Sequence, residues 1–149
     1  MKNTFNRLLQ TRKNILNVYE KHEESAFQIP IGFQNNLYWN LAHCIATQQI
    51  LCYKLSNNPM FLENHFIDKY KKGTVPTADF ITDLEVKRTK ENLFVTLDQL
   101  EKDYESGLFI NYNAYSTSYG LNLKSIEDAI DFNTIHEGLH LGYMMAMVK

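Results

Sequence analysis

The chain has 149 residues, the length of one domain and enough to bury a substantial core. It is 44% hydrophobic and 21% charged, with three prolines and six glycines, which excludes a disordered tail, a collagen-like fibre and a linker-rich array. Its net charge of −2, from 15 basic and 17 acidic residues, gives no electrostatic reason to expect nucleic acid or an anionic membrane as partner.

The first helical segment runs from about Thr4 to His22. Phe5, Leu8, Leu9, Ile15, Leu16 and Tyr19 recur at helical spacings, with Arg7, Arg12, Lys13 and Glu20 expected on the water face. The second runs from about Gln34 to Leu55. Asn35 or Asn36 can cap its start, and its interior holds one charge, Lys54, so most of its surface is expected to be buried.

A looser stretch follows, from Ser56 to Pro76. The third segment, about Thr77 to Glu101, is expected to start at Thr77, with Phe80, Leu84, Val86, Leu93, Phe94, Leu97 and Leu100 as its apolar stripe. A second loose stretch, Asp103 to Lys124, contains Phe109–Tyr119, whose alternation is too poor for a strand and which reads as a loop. The fourth segment covers about Ser125 to Val148. Ser125 and Asp128 there resemble a capping box, and Ile126, Ile130, Ile135, Leu139, Met144 and Met147 form the core face. The expected fold is all-α: a single-domain four-helix bundle spanning 1–149, with two long inter-helix connections. Connections of that length often line a site.

Cys44 and Cys52 lie on one helix, about 12 Å apart along its axis, too far for a disulfide. Two free buried thiols suit a reducing compartment. The N-terminal residues lack the apolar stretch of a signal peptide, and no run approaches the roughly 18 apolar residues of a membrane span. A cytoplasmic protein is therefore expected, without membrane or nucleic-acid partners.

Three histidines stand out. His136 and His140 are four residues apart on the last helix, so they face one way and can share a metal ion. His43 sits among Leu41, Ala42, Cys44, Ile45 and Ala46, which offer its ring few hydrogen-bond partners. Bundle cores host metal sites built from facing helices. Ordinary hydrogen-bonded histidines are the competing reading.

His136-Glu137-x-x-His140 also spells the short zincin motif, with Glu137 as general base. No His, Asp or Glu follows His140 to supply a downstream third ligand, so a protease is not expected. His22 lies among charged residues and reads as solvated. His65, in the first long connection, could cover a site opening. Trp39, one turn before His43, reads as core or as a pocket wall. Lys69, Lys71 and Lys72 read as a soluble loop end. Asn111, Tyr112, Asn113 and Tyr115 could line an opening.

Trp39-Asn40-Leu41-Ala42-His43, followed near the end by His136-Glu137-Gly138-Leu139-His140-Leu141-Gly142-Tyr143, resembles the DinB-like (YfiT-like) family of small metal-binding four-helix proteins. The likeness covers essentially the whole chain. The family commonly has a Gly-Gln pair after its last histidine, where this chain has Gly142-Tyr143. The resemblance implies a divalent metal, most often zinc or nickel, held by His43, His136 and His140, and frequent homodimers. It also implies metal-assisted hydrolysis or transferase chemistry with a low-molecular-weight thiol on a small-molecule substrate. The catalytic acid or base stays unassigned. The alternative is a non-catalytic bundle serving as a dimeric ligand-binding or interaction module. If three ordinary imidazoles hold the metal, affinity should weaken as pH falls through about 6.5.

Overall fold

The computed structural model describes residues 1–149, an all-α bundle of four long helices with a short fifth helix in the first connection. Helix α1 is Lys2–Lys21, α2 Leu37–Gln48, α3 Asn64–Tyr70, α4 Asp83–Glu105 and α5 Ile126–Met147. None is long and apolar enough to cross a membrane.

Helix α1 presents Phe5, Leu8, Ile15 and Tyr19 to the core, spaced as two helices packed side by side require. The core position between Leu8 and Ile15 belongs to Arg12, which is fully buried rather than solvated. Leu9, expected in the stripe, is exposed.

Helix α2 starts where expected. The Asn36 side chain accepts from the Trp39 backbone N–H at 2.8 Å, satisfying one of the orphan donors of the first turn. Every residue from Leu37 to Ala46 is buried. The segment does not continue as a uniform α-helix to Leu55. It widens to a π-helical turn over Gln49–Tyr53 and tightens to a 3-10 turn over Lys54–Ser56. Two buried glutamines tie this irregular stretch down: Gln48 donates to the Thr96 carbonyl (3.1 Å), and Gln49 accepts from the Phe61 backbone N–H (2.6 Å). Asn57, with φ +57°, ends it in the left-handed region that short polar side chains tolerate.

Helix α4 begins later than expected. Thr77 bonds Asp79 in the connection, and the cap is Thr82. Thr82 Oγ1 accepts from Glu85 N (3.1 Å) and Glu85 Oε2 accepts from Thr82 N (2.7 Å), a complete capping box whose Thr alone is worth about 1 kcal/mol. Phe80 therefore precedes the helix and is 86% exposed, and Leu84 points outward. The far end closes on Gly107 (φ +76°). Its N–H donates to the Tyr104 carbonyl and that of Leu108 to Asp103, the paired bonds of a left-handed glycine stop.

Residues 109–119 are not wholly loop. Tyr115–Ser116 pairs antiparallel with Asn122–Leu123 to make a short hairpin. Helix α5 is capped by Ser125, which accepts from Asp128 N. The Asp128 carboxylate accepts from Lys124 N, one residue earlier than a standard capping box places it. Along α5, Ile126, Ile130, Met144 and Met147 are buried as expected, but Leu139 is 56% exposed.

The core has two apolar clusters. One centres on Ile15, Tyr19, Leu41, Ile45, Leu93 and Met144, the other on Leu8, Leu51, Leu97, Leu100 and Ile130. Arg12 lies between them in sequence along α1. Its guanidinium donates to Glu137 on α5 (2.7 Å at the shortest) and to the Leu93 carbonyl (2.6 Å) and Thr96 hydroxyl (3.0 Å) of α4. Asn133 adds a 2.8 Å bond to Glu137. Three helices are thus pinned through one buried ion pair.

Candidate metal centre

Two elements bring the three histidines together. His43 comes from the middle of α2, and His136 and His140 from successive turns of α5. Their ring centroids lie 4.5 to 5.1 Å apart, and one ligand nitrogen from each falls within 4.8 Å of the other two. His43 Nε2 and His136 Nε2 are 3.2 Å apart. Two nitrogens about 2.0–2.1 Å from one zinc-sized ion stand about 2.9–3.4 Å apart, so this spacing suits a shared ion.

The other ring nitrogens set the tautomers. His43 Nδ1 lies 2.6 Å from the Tyr70 carbonyl, which can only accept, so the proton is on Nδ1 and the Nε2 lone pair is free. Tyr70 is the last residue of α3, and its carbonyl is one of the orphans every helix end leaves. His140 Nδ1 lies 2.7 Å from Asn40 Oδ1. The Asn40 amide nitrogen is turned toward Asn35 Oδ1 (2.6 Å) and the Asn36 carbonyl (2.8 Å), which fixes Oδ1 as the acceptor. A hydrogen bond on the outer nitrogen is the usual way a ligating imidazole is oriented. Trp39 stacks on His43, with centroids 4.5 Å apart and planes 11° from parallel.

Burial holds all three rings in the neutral form. His136 is pushed down to about 2 and His140 to about 3, first by desolvation and then by neighbouring histidines. His43 is lowered by desolvation, against the opposing pull of the Tyr70 carbonyl. His136 Nδ1 is buried without a partner, so no hydrogen bond on its outer nitrogen sets the tautomer of this ring. Three neutral imidazoles, two with the lone pair fixed on Nε2 and the third free to adopt the same tautomer, form a donor set that fits a divalent cation.

The DinB superfamily model matches residues 7–144, nearly the whole chain and all three histidines. The chain belongs to the DinB superfamily. Among curated proteins no relative matches.

In this DinB-superfamily chain the histidines line a cavity of about 290 Å³. Thr47, Ile50, Leu51 and Leu55 form one wall, Phe132 lies beside His136, and Lys72, Tyr115, Thr117 and Ser118 complete the rim. Thr47 Oγ1 is 3.3 Å from His43 Nε2. Tyr115 is the one residue of its expected group at this opening. Asn113 instead bonds the Leu55 carbonyl and Asn57.

His65 does not cover the opening. It is exposed on α3, 3.0 Å from Glu63, and borders a different depression. His22 caps the end of α1, donating its N–H to the Tyr19 carbonyl. Trp39 flanks a histidine without lining the cavity. Glu137 is unavailable as a base: it faces the core and is fully buried against Arg12. The sequence reading missed Asn40 and the Tyr70 carbonyl as orienting groups. Asn40 had a signal, a polar residue one turn before His43 in an uncharged helix. The carbonyl had none.

Proposed function

We propose that this chain is a metal-dependent enzyme in which His43, His136 and His140 hold a divalent ion, zinc or nickel. Its chemistry is hydrolysis of a small molecule or transfer to a low-molecular-weight thiol. The observation that carries this reading is the convergence of three neutral imidazoles on one point, two of them oriented by outer hydrogen bonds. When bound, a divalent ion held by neutral ligands keeps its full charge and lowers the pKa of a water or thiol enough to give a nucleophile near neutral pH.

The chain's own residues do the rest. The Tyr70 carbonyl and Asn40 hold the two rings in the tautomer that presents Nε2. Ile50, Leu51, Leu55 and Phe132 make the cavity apolar on several sides, so charge within it is poorly screened. The Thr47 hydroxyl stands close enough to the shared point to hold a hydrogen bond to a reacting group. The buried, unbridged thiols Cys44 and Cys52 are pushed up by desolvation, which keeps them protonated and suits the reducing compartment of this reading. A homodimer belongs to the same reading.

Elemental analysis of untagged protein tests it. About one zinc or nickel per chain is expected. Absence of metal after loading with both would sink the reading and leave a non-catalytic bundle.

A further inference from the structure

The metal-dependent reading leaves the ligand's chemistry open, and the charge pattern of the cavity narrows it. Among its lining residues only Lys72 carries a formal charge at neutral pH, and no carboxylate lines it at all. The neighbouring lysines are paired, Lys71 with Asp68 at 2.7 Å and Lys69 with Asp79 at 3.6 Å, whereas Lys72 makes no ion pair.

Lys72 itself is exposed, but the backbone on both sides of it is held in place. Two residues before it, the Tyr70 carbonyl is bonded to His43. Two residues after it, the Thr74 hydroxyl accepts from Trp39 Nε1 (3.2 Å) and bonds the Lys69 and Lys71 carbonyls. Trp39 is the ring stacked on His43, so both anchors lead to the same ligand. Gly73, with φ +89°, makes the tight turn between them. Across the opening, the Thr117 hydroxyl is engaged with Leu121, while that of Ser118 makes no bond within the chain. A cavity of about 290 Å³ sits at the small end of ligand pockets and suits a small molecule.

We propose that the ligand of this cavity is a small molecule bearing an oxyanion, a carboxylate or phosphate, which Lys72 and Ser118 hold at the rim while its reactive end reaches the three histidines. This inference rests on the metal-dependent reading. Lys72 is a specificity-determining residue in it. Lys72 can give an anion at the rim a charge-assisted hydrogen bond, about twice as strong as a neutral one.

The test uses the zinc-loaded full chain and calorimetric titration with thiols of graded length: mercaptoacetate, 3-mercaptopropionate and 4-mercaptobutyrate against neutral 2-mercaptoethanol. At least one acid should bind about tenfold more tightly than the neutral thiol at low salt, the size of effect a charged hydrogen bond gives. Lys72→Met should abolish that preference while leaving zinc content and mercaptoethanol binding unchanged, and Lys72→Arg should keep most of it. Equal or weaker binding of every acid to the wild type, or a preference that survives Lys72→Met, overturns the proposal. Failure to take up zinc would count against the metal-dependent reading alone. In that case phosphate and 3-mercaptopropionate are titrated against the metal-free protein by amide chemical shift. Perturbations at Lys72, Gly73 and Ser118 that vanish in Lys72→Met support the anion site, and their absence in the wild type overturns it.

Discussion

Helix α5 carries two buried polar groupings on different faces, and they are opposites. Glu137 faces Arg12 and Asn133, and the ion pair has hydrogen bonds from three helices. His136 and His140, one residue before and three after it, are neutral and face His43, with His43 Nε2 and His136 Nε2 3.2 Å apart and His136 Nδ1 unpartnered. The first grouping pairs both its charges, leaving only Asn133 Oδ1 without a partner, and fixes the helix. The second gathers three neutral imidazoles whose inner nitrogens meet near one point, where a cation could be shared. Within one turn, neighbouring residues thus divide into scaffold and candidate chemistry, and burial alone does not tell them apart.

The largest effect expected from separating the two comes from Arg12→Met. It strands a buried carboxylate and should cost about 3–5 kcal/mol in urea unfolding. Adding Glu137→Leu should recover much of that loss. If the single variant costs under 1 kcal/mol, the pair is not the clamp described. On the other face, His140→Ala should reduce bound metal to background by elemental analysis and cost the metal-free protein about 1–3 kcal/mol, because it strands the buried Asn40 Oδ1. Asn40→Ser removes the bond that orients His140, along with the amide bonds to Asn35 and the Asn36 carbonyl, and should weaken metal affinity about 10–100-fold by competition with a chromogenic chelator.

The pH dependence sharpens the comparison further. The histidines have depressed pKa values in the folded protein, about 2 and 3 for His136 and His140, against about 6.5 unfolded. The unfolded chain therefore binds more protons between those limits. Their contribution to metal-free stability is full above about pH 6.5 and is lost as pH falls from there toward 3. Urea midpoints from pH 7.5 to 4.5 should show that decline, and its absence in the wild type would refute the depressed values. Metal affinity, by contrast, should stay nearly flat from pH 7.5 to 5.5, because the folded ligands are already deprotonated. Ordinary imidazoles would instead show affinity falling through about pH 6.5, so the measurement separates the two. The smallest effect is expected at Leu139→Gln, within about 0.5 kcal/mol, since that side chain faces solvent.

The first, third and fourth helical segments were legible because their apolar periodicity is sustained over many turns, and the second because its interior carries no charge before Lys54. Helix α3 was not: Asn64–Tyr70 is too short for a periodic signal and lies in a stretch rich in turn residues. The true start of α4 was there to read, since Thr82 precedes Glu85 by three residues whereas Thr77 has Phe80 at that place. Arg12 was misread because its charge outweighed its position. Phe5, Leu8, Arg12, Ile15 and Tyr19 form one unbroken core register, and a charge within such a register calls for a buried partner. The three histidines were legible from spacing and family likeness, but the carbonyl that orients His43 is a backbone atom and no residue type announces it.

Trp39 is the sole tryptophan of the chain, and its ring lies flat against His43. The protein therefore carries a built-in optical reporter on one imidazole of the trio. Intrinsic fluorescence can follow events at that ring in unlabelled protein, with every other emitter in the chain a tyrosine or phenylalanine.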